Sequence, residues 1–386
     1  MRILHTSDWH LGRSFHRVGM LDHQASFVDH LVEVIEAERV DLLVVAGDVY
    51  DRALPPVDAV RLADETFARL AASRARVVLT SGNHDSAQRL GFGSRLIDAA
   101  GIFVRTDASS VGTPVLLEDS HGPVAVHGLP YLDPQGLHEP WQLSSRSHEA
   151  ALAEAMRRVR ADLARRPMRS VVLAHAFVAG GEPSESERDI SVGGVSMVAS
   201  SLFDGISYTA LGHLHGRSVL GDALRYSGSP LAYSFSEAGH TKGCWLVDLG
   251  RHAVESAEFI PAPVPRRLAR VRGDLETLLT DPTLAAIEGD WIQATLTDTV
   301  RPASPMERLR ERFPETLVLA FAPSGNSAPT IPTAAPGGRR DHEIALEFVA
   351  EMRGAPATPD ESALLQKACD ACADDPDVDL LLSGAG

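Results

Sequence analysis

Short apolar runs recur along the first two thirds of the chain, and several of them end directly in polar residues. Short β-branched runs predict buried strands, whereas apolar positions three or four residues apart, such as Phe27 and Leu31, predict an amphipathic helix. Strands and helices therefore alternate in the prediction. The predicted elements are strands at 2–6, 41–46, 77–80, 124–128, 171–174, 206–211, 244–249 and 253–260, and helices at 23–38, 56–70 and 147–165.

The pattern changes after the proline-rich segment 261–265, which predicts a domain boundary. Strand-like and helix-like runs alternate again over 266–322 and predict a small α+β unit. Residues 323–340 are dense in Pro, Ser, Gly and Ala, the composition of a flexible linker. The tail, 341–386, holds two amphipathic helices, the second starting at the capping box Thr358-Pro359-Asp360-Glu361. Two short helices bury little surface alone, so we expect them to dock on the body of this chain or on a partner.

Composition narrows the class of protein without deciding its function. Of the 386 residues, 44% are hydrophobic and 23% are charged, as in soluble globular proteins. No apolar run approaches the ~20 residues that span a bilayer, and the chain opens on a strand-like segment without a secretory signal pattern. We therefore predict a cytoplasmic protein. The net charge of −16 disfavours nucleic-acid binding through bulk electrostatics, although bound divalent cations would add positive charge that this count omits.

The three cysteines, Cys244, Cys369 and Cys372, are too few and too unevenly placed for a disulfide framework. The Cys369-x-x-Cys372 pair has no second pair and no nearby histidine to complete a zinc site. Cys372 also falls on the apolar stripe of its predicted helix, where it would pack as a small hydrophobic residue. We expect no metal or redox function there.

Residues of the types that commonly bind metals follow five of the predicted strands. An isolated Asp-x-His pair, or a Gly-Asn turn, is weak evidence, because a satisfied histidine and ordinary turn chemistry are common alternatives. The His-x-His pair within GHLHG is a stronger signal. A mixture of imidazole, carboxylate and amide ligands suits two ions such as manganese, iron or zinc better than magnesium. The candidate ligands are Asp8, His10, Asp48, Asn83, His175, His213 and His215.

Two divalent ions about 3.5–4 Å apart activate a bridging water and bind phosphoryl oxygens, so the predicted reaction is phosphoester hydrolysis. Asp48 is the acidic candidate in the middle of the set and is the expected bridging carboxylate. His84 lies next to a ligand, with Asp85 beside it. We predict that His84 and Asp85 are catalytic, contacting the scissile phosphate and donating a proton to the leaving oxygen.

The motifs DWHLG, GDVYD, GNHD, the single His175 and GHLHG occur in the order seen in calcineurin-like metallophosphoesterases, which the chain resembles. Within that superfamily, the opening MRILHTSDWHLG, the stretch VAGDVYD, the later YSGSP segment and the added carboxy-terminal unit resemble the SbcD family of bacterial nuclease subunits. The likeness is strongest over residues 1–265. It implies a two-metal β-sandwich flanked by helices, instead of the doubly wound parallel sheet that strand–helix alternation alone suggests.

The resemblance also implies roles for individual residues. His84 would be the catalytic histidine, and both ions would be manganese. Asp51 stands where archaeal relatives have a histidine, and its role stays open. One ion would be bound by Asp8, His10, Asp48 and His215, and the other by Asp48, Asn83, His175 and His213.

Partners follow from the same resemblance. Family members cleave double-stranded DNA from 3′ ends and cut single strands or hairpins, together with a coiled-coil ATPase, SbcC. Residues 266–322 would be a capping domain that positions DNA, and the tail helices would grip the ATPase. Relatives form a homodimer within a heterotetramer, for which the helical surface near 56–70 or 86–100 is a candidate.

Two other function classes share some of these features. A metallophosphoesterase acting on a cyclic nucleotide or phosphomonoester would use the same ligands and suits an acidic chain, but it would not need the capping unit or the tail helices. A scaffold protein with a decayed site predicts missing ligands, and none is missing here.

Overall fold

Two six-stranded sheets form the frame of the first unit, which comprises Met1–Arg270 and Gly289–Gln293. The computed structural model of the chain describes residues 1–188, 190, 197–323, 341–353 and 355–373. The strands of the first unit are β1 (Arg2–Thr6), β2 (Ser14–Phe15), β3 (Val18–Gly19), β4 (Leu42–Ala46), β5 (Arg76–Thr80), β6 (Ile102–Arg105), β7 (Val115–Asp119), β8 (Gly122–Gly128), β9 (Arg169–His175), β10 (Tyr208–Gly212), β11 (Ser218–Gly221), β12 (Leu224–Tyr226), β13 (Gly243–Leu249) and β14 (Val254–Pro261). Its helices are α1 (Leu21–Ala37), α2 (Val57–Ala72), α3 (Ala87–Leu90), α4 (Ser94–Ile97), α5 (Pro134–Trp141) and α6 (His148–Arg165).

The strand order of the first sheet is β14-β13-β1-β4-β5-β6, and that of the second is β11-β12-β10-β9-β8-β7. Strands β1, β4, β5 and β6 pair in parallel, as do β8, β9, β10 and β12. The outer strands β13, β14, β7 and β11 pair antiparallel with their neighbours. Because parallel strands end at one edge of a sheet, the loops after β1, β4 and β5 leave the first sheet together.

The two sheets pack face to face around a shared core. Val44 and Val78 of the first sheet lie in this core with Val171 and Tyr208 of the second. Helices α1 and α2 cover the outer face of the first sheet, and α6 covers that of the second. A strand covered on both faces is apolar throughout, which explains why every residue of β4 is buried. The layers confirm the predicted β-sandwich flanked by helices.

The predicted elements of this unit occur in the structure, and most of their bounds shift by only one or two residues. The predicted strands do not include β2, β3, β6, β7, β11 or β12, most of which have two to four residues and are too short to show an alternation. The periodicity also misses α5, which contains Pro140, a residue that normally ends a helix. His175 belongs to β9 and not to the loop after it.

The second unit comprises Val271–Glu288 and Ala294–Gly386. The remaining elements are β15 (Leu268–Gly273), α7 (Leu275–Thr280), β16 (Trp291–Leu296), α8 (Pro305–Arg312), β17 (Thr316–Phe321), α9 (Asp341–Arg353) and α10 (Pro359–Ala373). The three strands form one sheet in the order β15-β16-β17, alternating with α7 and α8 as the pattern predicts. The predicted boundaries of the capping unit stay predictions, and the predicted linker lies outside the described residues from 324 onward.

The two tail helices begin as the sequence pattern predicts. The Thr358 amide donates to the Glu361 carboxylate at 2.8 Å, and the Glu361 amide donates to Thr358 Oγ1 at 3.4 Å. These reciprocal bonds form a capping box at the start of α10. None of the helices in the described part of the chain is long and apolar enough to cross a membrane.

Candidate metal centre

The seven predicted ligands meet at the edge where the parallel strands of both sheets end. Asn83 Oδ1 joins the cluster from the loop after β5, 2.9 Å from His175 Nε2 and 3.2 Å from His213 Nδ1. The polar atoms of three further groups lie within 4.8 Å of one another, and all the side chains of these groups are buried. Those groups are Asp8 with His10 and His215, His10 with Asp48 and His84, and Asp8 with Asp48 and His175.

The side-chain atoms that converge here are mostly acceptors when the imidazoles are neutral. His175 Nδ1 donates to the Ala46 carbonyl at 2.9 Å, so in the neutral ring the Nε2 lone pair faces Asp48 Oδ2 at 3.4 Å and Asn83 Oδ1. His10 Nε2 and His215 Nε2 lie 3.0 Å apart. Lone pairs this close repel unless a proton or a cation lies between them. The arrangement therefore fits divalent cations.

Asn83 gives a second test of that fit. Its carbonyl oxygen faces two imidazoles, while its Nδ2 is buried without a hydrogen-bond partner. An amide placed only for hydrogen bonding would turn its nitrogen toward imidazole lone pairs. The observed orientation suits coordination through Oδ1.

Burial and mutual charge shift the pKa values of the cluster in different directions. Burial raises the pKa of Asp8 to about 6 and lowers the pKa of His213 to about 3. Burial also opposes the charged form of His175, but the Asp48 carboxylate outweighs it and raises the pKa of His175 to about 9. Without ions, a proton on His175 therefore offsets the charge of Asp48. A bound ion takes the place of that proton, so metal binding here releases protons.

The loops that carry the ligands adopt strained backbone conformations. A left-handed φ in a residue other than glycine costs about 1–3 kcal/mol and is found mainly at functional sites. A Cβ on Gly47 would lie 2.4 Å from His175 Nδ1, and one on Gly82 would lie 2.1 Å from Asp48 Oδ1. Both glycines are therefore required for the close approach of the strand ends. The left-handed residues in the ligand set are Asp8 (φ 55°), His10 (47°), Asp48 (52°) and His213 (101°).

The chain is similar in sequence to two known protein families. The calcineurin-like phosphoesterase family matches residues 1–216, more than half of the chain. The chain belongs to the calcineurin-like phosphoesterase family. The family is one of metal-dependent phosphoesterases, in agreement with the His/Asp cluster. A second family, SbcD_C, described as type 5 capsule protein repressor C-terminal domain, matches residues 264–336. Together the two matches confirm the resemblance to SbcD-type nucleases of this superfamily.

Solved structures show weaker likenesses to this phosphoesterase. TT1561 of Thermus thermophilus is 13% identical, with 67% of this chain and 98% of that chain covered and a TM-score of 0.41. YfkN from Bacillus subtilis is 14% identical, with 69% and 92% covered and a TM-score of 0.33. GAP50 of Plasmodium is 12% identical, with 85% and 99% covered and a TM-score of 0.38. Likenesses at this level support no functional conclusion.

His84 lies beside the phosphoesterase cluster and is tied to it through its backbone. Its amide donates to Asp48 Oδ1 at 2.8 Å, and its Nδ1 lies 2.8 Å from the Asp51 carbonyl. That second contact turns Nε2 to within 4.0 Å of Asp48 Oδ2. The ring is 8% exposed, in contrast to the fully covered His10. The proposed role of His84 as an acid stays a prediction that this geometry permits.

Asp85 is engaged by the main chain. Its two carboxylate oxygens accept hydrogen bonds from the amides of Val49 at 3.1 Å, Tyr50 at 2.8 Å and Gly82 at 2.9 Å. Burial and the nearby charge of Asp48 raise the pKa of Asp85 to about 7. These bonds tie the GDVYD loop to the GNHD turn and favour a positioning role. The direct catalytic role predicted for Asp85 stays a prediction without a supporting contact among the described residues.

Other polar residues reach the cluster without a motif that predicts them. Ser7 Oγ lies 2.5 Å from Asp8 Oδ2 and 2.8 Å from Ser227 Oγ, so the YSGSP turn supports a ligand. Ser186 and Glu237 stand behind His215. Single serines and glutamates carry no spacing signal, and only YSGSP, through the family resemblance, could have pointed to this side of the site.

Two charged residues lie at the margin of the cluster. Asp51 Oδ1 lies 3.8 Å from His10 Nδ1 and 3.7 Å from Arg13 Nε. Arg188 is exposed and donates to the backbone carbonyl of Asn83 at 3.3 Å. The guanidinium of Arg188 is therefore a cation next to a predicted ligand, where a substrate phosphate would approach.

Proposed function

We propose that this phosphoesterase is a manganese-dependent DNA nuclease of the SbcD type, acting as a 3′-to-5′ double-strand exonuclease and a single-strand or hairpin endonuclease in DNA repair, recombination and replication. The observation that carries the proposal is the set of overlapping His/Asp groups that could hold metal ions within a phosphoesterase domain. The SbcD_C match after that domain supports a nuclease over other phosphoesterases.

Two ions would share the cluster. The His10–His215 pair marks one position, and the approach of His175 to Asn83 marks the other. Asp48 lies near both, since its Oδ2 is 3.7 Å from His10 Nε2 and 3.4 Å from His175 Nε2. In this proposal one ion is held by Asp8, His10, Asp48 and His215, and the other by Asp48, Asn83, His175 and His213.

When bound, two divalent ions supply an activated water and neutralise charge on the phosphoryl oxygens. The chain's own residues do the remaining work. Asp48 orients His84 by accepting a hydrogen bond from its backbone amide, and the Asp51 carbonyl fixes the ring through a hydrogen bond to Nδ1. His84 Nε2 is then the atom from which a proton would pass to the leaving 3′ oxygen. Arg188 would bind a non-bridging oxygen of the substrate backbone.

A nuclease assay tests the proposal directly. Purified protein with Mn²⁺ is incubated with 3′-labelled blunt duplex and with hairpin DNA, with the coiled-coil ATPase and ATP varied separately. We expect Mn²⁺-dependent cleavage that EDTA abolishes. Hydrolysis of cyclic nucleotides or phosphomonoesters, with both DNA substrates intact under every condition, would instead establish the small-molecule phosphoesterase that the net charge of −16 favours.

The helix pair of α9 and α10 supports the proposed ATPase partner. Arg353 pairs with Glu361 at 2.8 Å between the two helices, while Phe348 and Leu364 expose most of their apolar side chains. An SbcC-type coiled coil would cover these side chains. The change Phe348→Glu with Leu364→Glu should abolish binding to the coiled coil in calorimetry, whereas Gln366→Glu, which adds a charge on the exposed part of α10, should leave binding unchanged.

Exposed apolar side chains on the first unit support a homodimer within the complex. They are those of Leu54, Val57, Val60, Phe92 and Leu96, which fall in or beside the two predicted helical regions. Replacing Phe92 and Leu96 by serine should shift the sedimentation of the purified chain to that of a monomer. Leu116→Ser, at an exposed leucine of β7, is the matched control and should leave the oligomer intact. A cytoplasmic location and a DNA-positioning role for 266–322 belong to the same proposal.

A further inference from the structure

A closed set of buried hydrogen bonds lies behind His215. Ser186 Oγ is 2.5 Å from His215 Nδ1 and 2.5 Å from Glu237 Oε1. The other oxygen of Glu237 forms an ion pair with the Lys242 ammonium group. The side chain of Glu237 is fully covered and that of Lys242 is 7% exposed. Charged side chains are almost never buried this completely unless they are paired.

The direction of each proton follows from the number of donors. A carboxylate beside a buried ammonium group accepts hydrogen bonds and donates none, so the contact between Ser186 Oγ and Glu237 Oε1 requires the single proton of Ser186. The Ser184 hydroxyl, 2.9 Å from Ser186 Oγ, donates its own proton to Glu187 Oε2 at 2.7 Å. Ser186 Oγ can then only accept from His215, which places the His215 proton on Nδ1. The Nε2 lone pair of His215 is left facing His10 Nε2 at 3.0 Å, the position proposed for the first ion.

The main chain of His215 is held by the same surroundings. Its amide donates to Glu187 Oε1 at 2.7 Å, and its carbonyl accepts from Lys242 Nζ at 2.8 Å. Lys242 also donates to Ser229 Oγ at 3.0 Å, within the YSGSP turn. Each polar atom of His215 other than Nε2 is therefore fixed by a charged or hydroxyl side chain.

Two other imidazoles of the cluster, those of His175 and His10, are held differently. His175 Nδ1 donates to a backbone carbonyl, that of Ala46, which no side-chain substitution removes. His10 Nδ1 is buried and has no hydrogen-bond partner. Of these three, only His215 depends for its orientation on side chains distant in the sequence. Ligand histidines commonly donate their second nitrogen to such a partner, and loss of that partner lowers metal affinity roughly 10–100-fold.

We propose that Ser186, Glu237 and Lys242 form a positioning clamp that fixes the tautomer and orientation of His215 for one of the two metal ions. Glu237 acts through Ser186, and Lys242 holds Glu237 charged and in place. The inference rests on the proposed function, because it assumes an ion between His10 and His215. It goes beyond that function by assigning residues that no ligand motif contains.

Metal titration of the full chain tests the clamp. Mn²⁺ and Co²⁺ are each titrated by calorimetry, and the visible absorption of bound Co²⁺ reports the geometry of each site. Wild type should bind two equivalents. In Ser186→Ala, the affinity for one equivalent should fall roughly 10–100-fold with an altered Co²⁺ spectrum, while the other equivalent binds as in wild type. Ser236→Ala is the matched control, because Ser236 joins the same two segments through the Glu185 amide and touches no ligand.

A second pair of variants separates the hydrogen bond from general packing. The change Glu237→Gln with Lys242→Met keeps an acceptor for Ser186 and should retain most of the affinity. The change Glu237→Leu with Lys242→Met removes that acceptor and should reproduce the loss seen in Ser186→Ala. The clamp is overturned if Ser186→Ala binds both equivalents as wild type does, if both equivalents weaken equally, or if the two double variants behave alike. Failure of the wild type to bind either ion would instead overturn the proposed function.

Discussion

The two edges of the sandwich treat buried charge in opposite ways. At the edge where β1 and β9 begin, Asp119 contacts both the Met1 amino group and the Arg169 guanidinium. At the edge where the same strands end, Asp8 and Asp48 face imidazoles, and within the described part of the chain neither forms an ion pair with a lysine or arginine. The same strands supply both edges, so the difference lies in the residues and loops at their two ends.

The difference teaches how a cation site can be recognised in a folded chain. Arg169 holds the pKa of Asp119 well below its usual range, whereas burial without a fixed cation raises the pKa of Asp8 to about 6. At the Asp119 edge, positively charged groups of the chain neutralise the carboxylate. At the Asp8 and Asp48 edge, bound cations would have to supply the positive charge. Substitutions at the Asp48 edge should therefore reduce metal binding, whereas substitutions at the Asp119 edge should reduce stability.

The largest effect is expected for Asp48→Ala. Asp48 lies near both proposed ion positions, so its removal should lower metal binding below two equivalents and reduce kcat by about 10³-fold or more. Metal content by mass spectrometry and cleavage of duplex DNA measure the two effects. Asp119→Asn, at the opposite edge, is the control and should keep both equivalents. Full metal content in Asp48→Ala would contradict the contrast between the edges.

The next largest effect is expected for His84→Ala, which separates acid from ligand. Loss of a general acid should lower kcat on DNA roughly 10²–10⁴-fold while two equivalents of Mn²⁺ stay bound. With bis(4-nitrophenyl) phosphate, whose leaving group needs little protonation, the loss should be much smaller. Metal loss equal to that in Asp48→Ala would show that His84 is a ligand, which the His10, Asp48 and His84 group also allows.

At the opposite edge, Arg169→Met should affect stability and not metal binding. Arg169 pairs with Asp119 and donates to the Gly122 and Gly250 carbonyls, and its side chain is only 6% exposed. Removing one partner of a buried pair costs about 3–5 kcal/mol, measurable by denaturant unfolding of the metal-free protein. Arg157→Met, at an exposed pair on α6, should leave stability nearly unchanged. Equal losses of unfolding free energy in both variants would show that the Arg169–Asp119 pair stabilises the protein no more than an exposed ion pair does.

The smallest effect is a pH dependence of stability from Asp119. Because its folded pKa is lowered, its stabilising contribution is present above the unfolded pKa of about 3.9 and is lost as pH falls toward the folded value. Wild type should therefore exceed Asp119→Asn in urea stability at pH 6, and this advantage should begin to shrink below about pH 4 and keep falling as the pH is lowered further. An advantage that is constant with pH would mean that the pair stabilises through packing and not through charge.

The sequence predicts the strands and the candidate ligands together, because each candidate ligand follows an apolar run that predicts a strand. Asp8, Asp48 and Asn83 come directly after apolar runs, and parallel strands must end at a common edge. The family resemblance then supplied the sandwich, which local alternation could not, since the pairing of β13 with β1 joins segments far apart in the chain.

The supports of the ligands could not be predicted in this way. Ser186 and Glu237 meet through a hydrogen bond that spans 51 residues, and neither belongs to a periodic pattern. Asp85 shows the converse limit. Its position beside His84 predicts a catalytic role. Its hydrogen bonds from three backbone amides, in contrast, depend on how two separate loops fold. Contacts of this kind depend on tertiary structure and leave no trace in local spacing.

The pairing of β13 with β1 has a consequence for the nascent chain. Arg2 of β1 pairs with Asp248 of β13, 246 residues away, while the other side of β1 is met early by β4. At about 5–20 residues per second, a ribosome leaves one edge of β1 without its neighbour for roughly 10–50 seconds. An open apolar edge recruits strands from other chains. During synthesis, a chaperone would therefore have to shield this edge of β1 until β13 emerges.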